Sequence, residues 1–261
     1  METTELPTGD ITGTVLLYSR PEPLNPELHG KLGVKRMDIP FAFAADQHLL
    51  PLTVTEFQPA SLSFPIIFVG DDRTPVAVMG LKEGENLFLS ANAPADPEAY
   101  VPAYVRRYPF VFANDETAER MILCIDRGAA VLDENGGDVP LFNGTEPTEY
   151  TTGAMEFCRE FEGERRRTDD FVKLLKDLEL FDVKQAVFTP RNPDGTTGEP
   201  QLMAEYFAVS EEKLAALPDD KVLELYKNGA LMQIYSHMVS LLNWERLLGR
   251  AMSRLPVAAN A

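Results

Sequence analysis

Two adjacent arginines, Arg106 and Arg107, stand inside a run of aromatic residues and prolines, YVPAYVRRYPFVFA from Tyr100 to Ala113. A guanidinium is planar and permanently charged. It grips a carboxylate or phosphate through two parallel bonds and stacks on aromatic faces. Tyr104 and Tyr108, beside the arginines, are placed to orient a peptide or an aromatic ring. The predicted chemistry is recognition of an anionic group, with Arg106 as its anchor. Pro102 and Pro109 keep the run from being an ordinary helix interior. If it is extended, Arg106 and Tyr108 share one face and Arg107 takes the other. The competing use of an arginine here is an internal ion pair that pins a loop, with Asp126 or Glu119 as partner.

Two residues are candidates for acid or base chemistry. His237 follows Ile234 by one turn on an apolar helical pattern, where it serves either as a core-edge histidine bonded to a carbonyl or as a general base. Asp126 ends the apolar run Met121-Ile-Leu-Cys-Ile125, and structural pairing to Arg127 or Arg106 competes with a catalytic role. His29, His48 and His237 are the only histidines, and none stands at a metal-ligand spacing. The chain has no G-x-S-x-G, no G-x-G-x-x-G and no phosphate-binding G-x-x-x-x-G-K-[ST]. No metal and no cofactor is expected.

The elements that must hold these residues come in two kinds. Before Tyr150 the chain reads as β-rich. Thr14–Tyr18 is an expected strand, as are Pro65–Val69, Val76–Leu81, Asn86–Leu89 and Met121–Ile125, and Asp133–Gly137 marks a tight turn. From Thr151 to Leu180 no proline appears, and Phe171, Leu174, Leu175 and Leu178 follow one helix face. Gly163 and the triple arginine at 165–167 are expected to interrupt that helix, with Thr168 capping a second one. Val183–Thr189 and Leu202–Val209 then form a hairpin around a polar loop. Ser210 and Asp219 cap two short helices, the second ending at Gly229. Leu231–Leu248 reads as one long helix with Leu231, Ile234, Tyr235, Met238, Leu241 and Leu242 as its buried stripe, Ser240 and Asn243 extending a polar seam, and Trp244 packing. The expected fold is α+β, with a mainly antiparallel β-rich half packed with a helical half that contains one β-hairpin. Residues 1–261 are read as a single domain, with a split into 1–150 and 151–261 as the alternative.

Composition sets limits on partners. The formal charge is -17, with 41 acidic and 24 basic residues, which argues against nucleic acid and anionic lipid as general partners. Cys124 and Cys158 form neither a metal nor a redox spacing, and reduced thiols in a cytoplasmic protein are the simpler reading. The amino terminus METTELPTGDITG lacks the positive charge and apolar core of a secretory leader, and no run is long enough to span a bilayer. No membrane insertion is expected, and composition leaves the oligomeric state open.

Several segments in order carry a resemblance: Asn25-Pro-Glu-Leu-His29, Gly84-Glu-Asn-Leu-Phe-Leu89, the Tyr100–Ala113 run, Cys124-Ile-Asp-Arg127 and Ile234–Asn243. Together the chain resembles the SapC-like family of bacterial proteins, as distinct from the peptide-transporter permease of the same label. The resemblance adds Glu56 and Asn86, at family motif positions, to Arg106, Arg107, Tyr104 and Tyr108 as ligand-binding candidates. Asn92–Glu98, NAPADPE, departs from the pattern where family members often carry an aromatic residue such as tryptophan. The family has no established activity. Its name comes from a surface-layer gene cluster, and members tend to be encoded near outer-membrane receptors and flavin-dependent tryptophan halogenases. That setting implies a link to nutrient uptake or to amino-acid and peptide modification. The expected function is non-catalytic: binding of a peptide, a protein segment or a small anionic ligand. The alternatives are an enzyme acting on a peptide or amino-acid derivative by acid/base chemistry, and a surface-layer structural protein.

Overall fold

The structure, a computed structural model, describes residues 15–115, 120–189 and 196–254. In chain order, β1 (Pro21–Pro23), α1 (Pro26–His29) and β2 (Gly33–Val34) come first. Next are β3 (Leu49–Pro51), α2 (Phe57–Ala60), β4 (Ile66–Val69) and β5 (Thr74–Val78). Then α3 (Ala103–Arg106) leads into β6 (Phe110–Asp115) and β7 (Arg120–Asp126). Short strands β8 (Leu132–Asp133), β9 (Val139–Pro140), β10 (Phe142–Asn143) and β11 (Glu146–Pro147) precede the long helix α4 (Glu149–Asp177). The pair β12 (Phe181–Phe188) and β13 (Gln201–Val209) is followed by α5 (Glu211–Ala215), α6 (Asp219–Lys227), α7 (Ala230–Ser240) and α8 (Asn243–Ser253). The fold is α+β: every described strand pairing is antiparallel, the first half is β-rich, and the second half is helical around one hairpin.

The chain forms two compact units, each built from two segments. One comprises residues 1–40 and 107–162. Its sheets run β1-β7-β6 and β8-β2-β9, with β10 and β11 paired beside them. Leu32, Phe110, Ile125, Leu141 and Cys158 make its main core, and Tyr18, Val111 and Cys124 a smaller one. The other comprises residues 41–106 and 163–261 and holds the five-stranded sheet β12-β13-β4-β5-β3. Its core is aromatic: Phe68 lies 6.2 Å from Phe57, 4.9 Å from Phe181 and 5.0 Å from the His237 ring. Among the described residues no helix is long and apolar enough to cross a membrane.

The structure departs from the sequence expectation at six places. The expected first strand is instead a turn in its described part: Leu17 sits at φ 76°, and the Tyr18 amide bonds Val15 O. Asn86–Leu89 is irregular, because the Asn86 side chain takes the amides of Phe88 and Leu89 at 2.9 and 2.8 Å. The Arg106–Tyr108 stretch is not extended: Ala103–Arg106 is a helical turn, so strand alternation fails. Helix α4 runs unbroken through Gly163, whose penalty is only about 1 kcal/mol. Thr168 caps nothing; its hydroxyl bonds Glu164 O one turn back and accepts the Val54 amide. Asp219 is the first residue of α6, and Pro218 takes the cap position.

The expected long C-terminal helix is two helices. Leu241 and Leu242 form tight turns onto Met238 and Val239, and the Asn243 side chain takes Ser240 O at 3.0 Å. An asparagine that bonds a nearby carbonyl competes with the helical ladder, which accounts for the break. The expected stripe is corrected with it. Ile234 is buried, but Tyr235 is 52% exposed and Leu242 76%.

Candidate functional site

Arg106 and Arg107 are neighbours in sequence but belong to different units. Arg106 ends α3 and is exposed. Its Nε donates to Val101 O at 3.1 Å and one Nη to the Tyr100 hydroxyl at 3.2 Å, with the guanidinium 5.8 Å from the Tyr100 ring. Tyr100 was not among the aromatic residues expected beside Arg106; the turn of α3 folds Arg106 back over the residues that precede it.

The scaffold beneath Arg106 is Glu56, 4% exposed. One carboxylate oxygen accepts the Tyr100 hydroxyl at 3.0 Å and the Ala103 amide at 2.6 Å. The other accepts the Thr53 amide and hydroxyl at 2.8 and 2.9 Å, completing a capping box. Burial, then the Glu56 charge, pushes the Tyr100 phenol up to about 12, so it stays protonated and donates. The result is a chain of contacts from a buried carboxylate, through a phenol, to an exposed guanidinium. Tyr100 was not singled out from sequence; the signal available was its place at the head of the Arg-Arg run.

Arg107 is 7% exposed, within its own unit. Its guanidinium lies over Phe161 at 4.4 Å and Tyr18 at 5.6 Å, and one nitrogen stands 3.7 Å from the Glu162 carboxylate. The Tyr108 hydroxyl donates to Asp126 at 3.1 Å, and its ring meets Tyr18 edge-on. Burial, then the Asp126 charge, raises the Tyr108 phenol pKa.

Asp126 is fully buried. It accepts the amides of Ser19, Arg20 and Gly128 at 3.1, 2.7 and 3.1 Å, together with the Ser19 hydroxyl. Burial alone would raise its pKa, but these donors together outweigh that effect and hold the carboxyl below its ordinary range. Neither arginine expected as partner takes it; Arg127 pairs with Glu22 and Glu134 instead. Glu119 lies outside the described residues.

His237 is likewise fully buried, in the core rather than at its edge. Its Nδ1 bonds Ile66 O at 2.9 Å, and its Nε2 accepts the Val209 amide at 3.1 Å. Those two contacts require the neutral ring with the proton on Nδ1. Burial lowers its pKa to about 4. The expected polar seam is present: Ser240 Oγ accepts the Ile66 amide, and Asn243 donates to Ser61 O. Trp244 packs on Tyr206 and donates to its hydroxyl at 3.2 Å.

Asn86, 2% exposed, organises its loop from within, donating to Gln47 O at 2.9 Å and to Ala44 O at 3.3 Å. Just past the end of α8, Arg254 holds the Asn86 and Leu87 carbonyls at 2.8 and 3.0 Å, while Arg250 of α8 lies over Phe88 and pairs with Asp96. Sequence reasoning missed both arginines. Cys124 and Cys158 are free thiols that burial pushes up to about 11 and about 12, well away from the reactive thiolate range. Among the described residues no group of three or more His, Cys, Asp or Glu gathers as a metal site.

No curated protein and no solved structure matches the chain. The SapC family matches residues 24–247, nearly the whole of it. The run around Arg106, the Glu56 scaffold beneath it, Asp126 itself and the His237 helix all fall inside that span, and the chain belongs to the SapC family.

Proposed function

We propose that this protein is a non-catalytic binding protein, which holds the carboxylate of a peptide, a protein segment or a small anionic ligand on Arg106. The observation that carries this reading is the exposed Arg106 guanidinium, set in one orientation by Val101 O and by the Tyr100 hydroxyl on buried Glu56. A pre-set guanidinium loses little freedom when an anion arrives, so the contact contributes more of its strength to affinity. Tyr100 supplies the adjacent aromatic face, and Glu56 acts on the ligand through Tyr100 and α3. The state of the acid/base candidates supports binding over catalysis, since Asp126 and His237 are both wholly buried and bonded to backbone groups. In this reading Arg107, Tyr104, Tyr108 and Asn86 are framework. The buried free thiols support a cytoplasmic setting.

The test is calorimetry with short N-acetylated peptides bearing a free carboxyl terminus, against the same peptides amidated. The carboxylates should bind and the amides should not. Arg106→Lys should weaken binding about tenfold, because lysine cannot reproduce the planar fork, at an unchanged melting temperature. Equal binding of acid and amide, or a lower melting temperature at unchanged affinity, overturns the reading. Turnover of a peptide, seen by mass spectrometry, would point to an enzyme.

A further inference from the structure

Helix α7 is apolar on both sides. Ile234 and His237 face the core, while Met232, Tyr235 and Val239 are 57, 52 and 54% exposed, and Leu242 in the following turn is 76% exposed. At about 100° per residue these four positions fall within roughly 80° of arc, opposite the buried line. The helix Ala230–Ser240 contains no Asp, Glu, Lys or Arg. An ordinary solvated face carries charge, and a helix with apolar residues on two opposite faces is normally covered on both. So concentrated an exposed apolar stripe is characteristic of an interaction surface.

The helix packed beside α7 is acidic. Helix α6 packs on α7 across the turn at Asn228 and Gly229, the latter at φ 81°. It adds exposed Leu223 and Tyr226 together with Asp219, Asp220 and Glu224. Asp220, Leu223, Glu224, Lys227 and Asn228 line a shallow depression on it. From Glu205 to Arg246 the chain carries seven carboxylates against three lysines and one arginine. Lys213 pairs outside this stretch with Asp182, and Lys221 pairs within it with Glu224, so the excess of acid over base remains.

We propose that the exposed face of α7, with the α6 carboxylates as its rim, docks a basic amphipathic helix of another protein. The occupant follows from charge and shape. A second copy would bring an acidic rim against an acidic rim on a chain of net charge -17. A helix with apolar anchors and flanking Lys or Arg meets both the stripe and its rim. From Met232 to Leu242 the stripe runs about 15 Å, enough for two to three turns of a partner helix, and its 3-4-3 spacing suits ridge-into-groove packing. The surface is separate from Arg106 and does not depend on the carboxylate-binding reading.

The probe is a fluorescein-labelled 18-residue Leu/Lys peptide with leucines at helical 3-4 spacing. Its controls are the same spacing with Glu in place of Lys, and the Leu/Lys composition reordered so that no face forms. Anisotropy with the full chain should show binding of the first peptide alone. Affinity should drop at least tenfold in the Y235S/V239S double variant, whose circular dichroism and melting temperature should match the parent, and it should weaken in D220N/E224Q. Equal binding to Y235S/V239S would reduce the effect to bulk charge and overturn the proposal, as would equal binding of the Glu peptide or no binding at all. A dimer in sedimentation that Y235S/V239S makes monomeric would overturn it in favour of a second copy.

Discussion

The imidazole of His237 stands between the amide of Val209 and the carbonyl of Ile66, bonded to both. Strands β13 and β4 pair antiparallel at Phe207 and Phe68, so two further residues along each strand would bring Val209 opposite Ile66. The ring occupies the place of a direct ladder bond. Ser240, one turn on, accepts the Ile66 amide. Both backbone groups of one strand residue are thus satisfied by side chains of α7, and the sheet is joined there through a helix.

Replacing His237 should therefore act on stability before anything else. His237→Ala leaves a buried amide and a buried carbonyl unmatched and opens a cavity, which should cost about 3–5 kcal/mol in urea unfolding. His237→Phe fills the space yet leaves both groups unmatched, and should still cost roughly 2 kcal/mol or more. A loss within experimental error for either would show that the sheet closes without the ring.

The same histidine sets a pH dependence. Its folded pKa, about 4, lies below the ordinary 6.5, so the unfolded chain binds more protons between those values. Its contribution is intact above about pH 6.5 and is lost as pH falls toward 4, a change of roughly 3 kcal/mol. Asp126, with its pKa also depressed, adds stability present above the ordinary carboxylate value of 3.8 and lost as pH falls below it. Urea titrations at intervals from pH 7.5 to 3 should show the first loss flattened in His237→Phe and the second unchanged by it.

Asp126→Asn tests the carboxylate cage in the other unit. An amide keeps the shape but turns one acceptor oxygen into a donor facing donors, which should cost about 2–4 kcal/mol. Thermal unfolding of the variant would reveal it; a melting temperature equal to the parent's would mean that the amides of Ser19, Arg20 and Gly128 find other acceptors.

Alanine replacements along the C-terminal helices separate the buried line from the exposed one. Ile234→Ala should cost about 2–5 kcal/mol. Leu241→Ala, at a half-buried site, should cost about 1–2 kcal/mol. Tyr235→Ala should fall within about 0.5 kcal/mol. The reverse order in chemical denaturation would place the core on the opposite face of α7.

What sequence reading reached, and what it missed, follows from the range over which each interaction acts. The change from β-rich to helical chain near Glu149, the pairing of β12 with β13 and the Ser210 cap depend on neighbours in sequence, and local pattern showed them. On α7 the sequence reached Ile234 but not the exposure of Tyr235 and Leu242, because apolar residues on two opposite faces give a period consistent with either side facing inward. The role of His237 depends on the pairing of β4 with β13, whose paired residues Phe68 and Phe207 lie far apart in sequence. Arg106 was legible as a distinctive residue. Its contact with Tyr100 was not, since that depends on whether the run is extended or helical, and Pro102 is compatible with both a strand edge and a helix start.

The claims of His237 and Ser240 on Ile66 also impose an order in time. The bonds join positions 171 and 174 residues apart. At about 5–20 residues per second, the ribosome delivers the second partner roughly 10–35 s after the first. Until then a strand that is wholly apolar, Ile66-Ile-Phe-Val69, waits with its Ile66 amide and carbonyl unclaimed and part of its sheet not yet made. Nascent chains halted between β5 and α7 should accordingly be the ones that chaperones retain, and release should follow emergence of Ser240 from the exit tunnel.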